Sequence, residues 1–173
     1  MADRSPKARM WLRTAVVLAI VLVVDQVTKA LVRGGVDRGS EDSVLPGVTL
    51  VHTKNRGVAF SALEGRTGII SVVIAVAVIA LLVYVARNAL TPGIWVPAGL
   101  LTGGAFGNII DRAAFGEVTD FIKLPAWPAF NVADMAITFG VVALLYVLEK
   151  DPTPDAARGT SSPGVSDAVD SRS

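Results

Sequence analysis

Four apolar stretches divide the chain, at roughly residues 11–31, 67–86, 94–110 and 132–148. Each approaches the ~20 residues that a helix needs to cross the hydrocarbon of a bilayer. Charged positions gather between the stretches and at the termini. The pattern therefore predicts an all-α membrane protein with four transmembrane helices. The first stretch follows Arg4, Lys7, Arg9 and Arg13 as a secretory leader would. It runs into Asp25 and Lys29, however, rather than a small-residue cleavage site, and so reads as a retained helix. The same four cations, opposed only by Asp3, place the N-terminus in the cytoplasm, and four crossings return the C-terminus there. Residues 32–66 and 111–131 then face outward.

The outward segment at about 44–62 carries a second periodicity. Val48, Leu50 and His52 alternate with Thr49, Val51 and Thr53, and Asn-Arg-Gly at 55–57 supplies a turn. A small extended or β element on the outer face is expected there. Residues 1–10 form a cytoplasmic N-terminus and 11–150 a single four-helix membrane domain. Beyond 150 the chain is rich in Pro, Ser, Asp and Gly without periodicity, which predicts a disordered cytoplasmic tail.

Composition narrows the chemistry. The chain is 52% hydrophobic and 18% charged, more apolar and less charged than a soluble domain of its length. There is no cysteine, which excludes disulfides, thiolate zinc sites and a cysteine nucleophile. His52 is the single histidine, so neither a histidine-built metal site nor a Ser-His-Asp triad is well supplied. No metal and no cofactor is expected. A net charge of +1, with no basic patch interleaved with aromatics, sets nucleic acid aside as a partner.

What remains is a set of polar residues at one predicted membrane boundary. Asp25 and Lys29 are four apart on the first helix, either an interfacial ion pair or the wall of a polar pocket. Gly103, Gly104 and Gly107 give the third helix a small face for close helix approach. Asn108, Asp111 and Arg112 follow at helical spacing, with Asp111–Arg112 readable as a charge pair. Asn131 and Asp134 stand at i and i+3 where the fourth helix begins, so Asn131 is placed to cap it. Asp120 stands alone between the third and fourth stretches. Ionisable groups in such a setting are expensive and point to function. Two neighbouring carboxylates of low solvation share one proton, and one then serves as base and the other as acid. A transporter relaying protons would spread its carboxylates through membrane depth, whereas these crowd one side.

Five segments, in order, carry a resemblance: DQVTK at 25–29, NRGVAFS at 55–61, GGAFGNIIDR at 103–112, VTDF at 118–121 and FNVAD at 130–134. Together they resemble the lipoprotein signal peptidases (signal peptidase II) over residues 25–137. The resemblance implies an integral aspartyl endopeptidase of the bacterial cytoplasmic membrane. Its substrate would be a diacylglyceryl-modified prolipoprotein, cut just before the lipidated cysteine, and a globomycin-type inhibitor would occupy the site. Asp120 and Asp134 match the family's catalytic aspartates. Asp25, Lys29, Asn55, Gly57, Asn108, Asp111, Arg112 and Asn131 match positions that line or hold the site. The implied partners are the lipidated substrate, membrane lipids and the inhibitor. Phe60, Phe121, Trp127 and Phe130 near the boundary either receive the acyl chains and signal helix or anchor the membrane interface, and Trp127 fits the anchoring role better. Two departures stand out: a short link between the aspartates, and Thr119 where an apolar residue is common.

Overall fold

The computed structural model describes residues 5–55, 76 and 79–150. Helix α1 spans Pro6–Gly35. Ser5 caps it by accepting the Ala8 N–H at 3.3 Å, and Pro6 occupies the first turn, where a missing N–H costs nothing. Strands β1 (Glu41–Leu45) and β2 (Val48–Asn55) form a hairpin, closed by Pro46 and by Gly47 at φ +78°. Helical residues 79–87 (α2) lead through a turn into α3, Trp95–Phe115. Gly116, at φ +74°, terminates α3 by donating to Arg112 O at 3.0 Å. Strand β3 (Val118–Lys123) follows, and then α4 (Val132–Lys150).

The sheet is antiparallel in the order β1-β2-β3. Thr53 faces Asp120 and Asn55 faces Val118 in the β2–β3 register. After β3 the link doubles back, with Phe130 and Ile122 exchanging backbone bonds at 2.9 Å. That return brings the chain beside Asp120 just before α4 starts. Helix α3 packs between α1 and α4. Small residues make this possible, because a Cβ on Gly99 would lie 2.5 Å from Val17 Cβ, and one on Gly104 would lie 2.5 Å from the Ala133 carbonyl oxygen.

Among the described residues, α1 and α4 carry exposed apolar side chains while a polar cluster lies buried between the helices. Ile20, Val23 and Leu31 on α1, and Phe139, Val142 and Leu145 on α4, are all exposed. Asp25, Lys29, Asp111 and Asn131 are fully buried. That inversion of the usual soluble pattern suits a lipid surround. Among the described residues, α1 and α4 are long and apolar enough to cross a membrane. The expected second crossing, 67–86, lies largely outside the described residues. The expected outer element is a three-stranded sheet rather than a stretch within 44–62. It begins at Glu41, turns at Pro46–Gly47 and recruits β3 from far along the chain. Of the turn expected at Asn-Arg-Gly, only Asn55 is described.

Candidate active site

The site is built from α1 outward. Asp25 and Lys29 stack one turn apart on the buried face, with Lys29 Nζ 2.9 Å from Asp25 Oδ2. The same ammonium lies 3.3 Å from Asp111 Oδ2 and donates to Asn108 Oδ1 at 3.0 Å. All three of its donors are thereby matched, which is what allows a lysine to sit in the interior. Gln26 Nε2 lies within hydrogen-bond distance of Asp25 Oδ2, Asp111 Oδ1 and Gly107 O. Arg33, a turn beyond Lys29, approaches Asp111 Oδ1 at 3.6 Å and donates to Thr119 Oγ1 at 3.2 Å. Its guanidinium lies 4.5 Å from the centre of the Phe115 ring.

This cluster positions the two aspartates. Asp25 Oδ1 accepts the Ala133 N–H at 2.9 Å, so a carboxylate of α1 caps the first turn of α4. Gly107 leaves room for it, since a Cβ there would lie 2.5 Å from Asp25 Oδ2. Asn131 and Asp134 form a reciprocal cap: the Asp134 N–H donates to Asn131 Oδ1 at 3.0 Å and the Asn131 N–H to Asp134 Oδ2 at 3.3 Å. With Oδ1 so committed, Asn131 Nδ2 turns to Asp120 Oδ1 at 2.7 Å. Asn108 Nδ2 donates to Asp134 Oδ1 at 2.8 Å. Asn55, at the end of β2, donates to Asp120 Oδ2 at 2.9 Å. The Thr119 N–H donates to Asp111 Oδ2 at 3.1 Å and pins β3 to α3 beside Asp120.

Asp120 is buried on its strand, and burial pushes its carboxyl up to about 6. The Asn55 amide opposes that rise by favouring the charged form, the nearby Asp134 charge adds to it, and Asn131 and Lys29 oppose it more weakly. Asp134 is less enclosed than Asp120. The Arg112 guanidinium stands within electrostatic reach of both carboxylates, and its Nη1 donates to Asn108 O at 3.3 Å. The result is a carboxylate pair with Asp120 buried and Asp134 partly buried. Each member is held by side-chain amides, and Asn131 bridges the two.

The structure brings together Asp25, Lys29, Asn55, Asn108, Asp111, Asp120, Asn131 and Asp134. Gly57 and Phe60 lie outside the described residues. Of the two readings of Asp25 and Lys29, full burial favours the polar pocket over an interfacial ion pair. Two expectations change. The ion pairs of Asp111 go to Lys29 and Arg33 rather than to its neighbour Arg112, whose side chain leaves the helix on another face. Phe121, on β3, is buried and so offers no surface to an acyl chain, whereas Trp127 is 65% exposed. Gln26 and Arg33 were not anticipated as members of the cluster. Arg33 stands at i+4 from Lys29 and i+8 from Asp25, a spacing that places it on the same face. The lone His52 has Nδ1 2.8 Å from Val36 O and takes no part.

Residues 17–149 match the signal peptidase (SPase) II family. The chain belongs to the signal peptidase II family. A lipoprotein signal peptidase from Syntrophomonas wolfei subsp. wolfei is 36% identical over 133 residues, which cover 76% of this chain and 89% of that relative. One from Rhodopseudomonas palustris is 41% identical over 141 residues, covering 73% and 85%. A bacterial membrane enzyme solved by the in meso method at 2.3 Å resolution superposes with a TM-score of 0.74 at 28% identity, covering 88% of this chain and 94% of that one. A second, at 1.9 Å resolution, gives 0.71 at 31% identity, covering 80% and 93%. The signal peptidase II match spans every segment that contributes to the buried cluster.

Proposed function

We propose that this chain is an aspartic-type endopeptidase of the bacterial membrane that removes signal peptides from lipoproteins, with Asp120 and Asp134 as its acid–base pair. The observation that carries the reading is Asn131, which caps α4 with its Oδ1 and donates to Asp120 with its Nδ2, so that one residue sets both carboxylates. Asp120, with its raised affinity for a proton, starts as the acid. Asp134 takes a proton from water as the oxygen attacks the scissile carbonyl carbon, and Asp120 gives its proton to the carbonyl oxygen. Collapse of the tetrahedral diol breaks the C–N bond, the leaving nitrogen takes the proton held by Asp134, and a diol proton returns to Asp120. Asp25, Lys29, Asn108, Asp111 and Asn131 hold this geometry, while Asn55 and Arg112 border the pair.

The reading extends to four crossings, with both termini cytoplasmic and the pair near the outer membrane surface. A diacylglyceryl-modified prolipoprotein would enter laterally, its acyl chains remaining in lipid, and a globomycin-type inhibitor would compete for the carboxylates. The test is cleavage of a diacylglyceryl-modified prolipoprotein by purified wild type, Asp120→Asn and Asp134→Asn. Each substitution is expected to cost about 10²–10⁴-fold in turnover while the protein remains folded. Near-normal turnover by either folded variant rules the pair out.

A further inference from the structure

Arg33 closes a triangle of three elements behind Asp120. From the last turn of α1, its Nη1 donates to Thr119 Oγ1 on β3 at 3.2 Å and lies 3.6 Å from Asp111 Oδ1 on α3. The third side is the Thr119 N–H, which donates to Asp111 Oδ2 at 3.1 Å. The Phe115 ring, its centre 4.5 Å from the guanidinium carbon, backs the cation from α3. Thr119 is thus gripped twice, once by its backbone and once by its side chain.

Two features set this contact apart from a cation that merely ends a helix. Thr119 is buried, and a buried hydroxyl is costly unless it is hydrogen-bonded. An apolar residue would fill the same space without needing a partner, whereas here Arg33 supplies one. Side chains also alternate along a strand, so Thr119 and Asp120 leave β3 on opposite faces. Arg33 therefore holds the strand from the back, while its front presents Asp120 to Asn131 at 2.7 Å and Asn55 at 2.9 Å. We infer that Arg33 is a positioning residue, acting through Thr119 to hold β3 where Asp120 meets Asn131. The inference deepens the proposed function and rests on Asp120 belonging to its acid–base pair.

The test measures kcat and KM on a diacylglyceryl-modified prolipoprotein for the purified full chain and its Thr119→Val, Thr119→Ser and Arg33→Met variants. Thr119→Val keeps the shape and removes the acceptor. It is expected to lower kcat about tenfold, part of the roughly 10²-fold that a displacement of about 1 Å can cost, with KM within about twofold. Arg33→Met should lose at least as much. Thr119→Ser restores the hydroxyl and should bring kcat back to within about twofold of wild type. Added to Arg33→Met, Thr119→Val should cost less than about twofold more, because the contact is already gone. Additive losses, or a Thr119→Ser as impaired as Thr119→Val, overturn the assignment. So does a lowered thermal transition with kcat unchanged, which is what a cation suited only to the helix end would give. The two Thr119 variants decide the matter should Arg33→Met misfold. Amide exchange followed by NMR in micelles reads the same contact without substrate. The Phe121 N–H, which donates to Phe130 O at 3.0 Å, should exchange about tenfold faster in Thr119→Val and recover in Thr119→Ser. Unchanged exchange overturns the assignment. Wild type that cleaves nothing counts against the peptidase reading alone, and the exchange result then decides whether Arg33 holds β3.

Discussion

Lys29 donates to Asn108 Oδ1 at 3.0 Å, and that bond turns the Asn108 carboxamide so that its NH2 group faces Asp134 at 2.8 Å. An ammonium donates only, so it fixes which end of the amide it meets. A buried cation more than a hundred residues away in sequence thereby sets a donor onto a proposed catalytic carboxylate.

Replacing Lys29 with Met removes that constraint and leaves Asp25 and Asp111 as buried carboxylates without their shared cation. Breaking a buried pair on one side costs about 3–5 kcal/mol. Lys29→Met is expected to lower the thermal transition in detergent by an amount reflecting that loss and to abolish cleavage. An unchanged transition would mean that the ammonium contributes nothing net.

Asp120 gives a pH-dependent stability effect of opposite sign to the usual salt-bridged aspartate. Folding raises its carboxyl from the ordinary 3.8 to about 6. The stability this contributes is fully present below about 3.8 and is lost as pH rises through about 6. At pH 8 the ionised group costs up to roughly 3 kcal/mol. In Asp120→Asn the new carbonyl oxygen meets Asn131, whose orientation is fixed by the cap, and the half-buried Asn55 amide turns over to accept from the new NH2. The Asp120→Asn variant should therefore melt above wild type at pH 8, and the gap should close towards pH 4. A variant less stable than wild type at pH 8 contradicts this account.

The Asn55 bond favours the charged form of Asp120, so its loss pushes that carboxyl further up. Asn55→Ala should move the alkaline limb of the kcat/KM profile to higher pH, since the protonated acid persists further. A limb that stays fixed or moves to lower pH separates Asn55 from the titration.

Glycine contacts give a packing test with an internal control. Gly104→Ala drives a methyl group to 2.5 Å from the Ala133 backbone oxygen, which cannot move aside as a side chain can. A loss of about 1–3 kcal/mol is expected. Gly34→Ala, inside α1 with nothing within 4 Å of the added carbon, should instead be neutral or gain up to about 1 kcal/mol. Thermal melts should show a lowered transition for Gly104→Ala and no lowering for Gly34→Ala.

The long helices were legible because each is an uninterrupted apolar run between charged segments. Boundaries shifted where local chemistry overrode hydropathy: α1 begins at Pro6, inside the cationic leader, because Ser5 and Pro6 start a helix there. Strand β3 was not legible. VTDFIK is six residues with its partner β2 some seventy positions earlier, and only tertiary pairing makes it a strand. The depth of Asp25 and Lys29 was hidden for a related reason. An Asp–Lys pair at i,i+4 is a common surface motif, and only the arrival of Asp111, Asn108 and the α4 terminus buries it. The resemblance named candidate site residues, and Gln26 and Arg33 stand beside several of them in the buried cluster.

The cap that Asp25 provides to Ala133 joins the first long helix to the last, and it has a consequence for how the protein is made. The ribosome releases Asp25 early and Asn131 and Asp134 only near the end of synthesis. Until α4 inserts, Asp120 has neither its amide bridge nor its partner. With Asp120 and Asp134 as the proposed acid–base pair, the nascent chain would stay proteolytically silent until α4 docks, and a product halted before residue 131 would remain so.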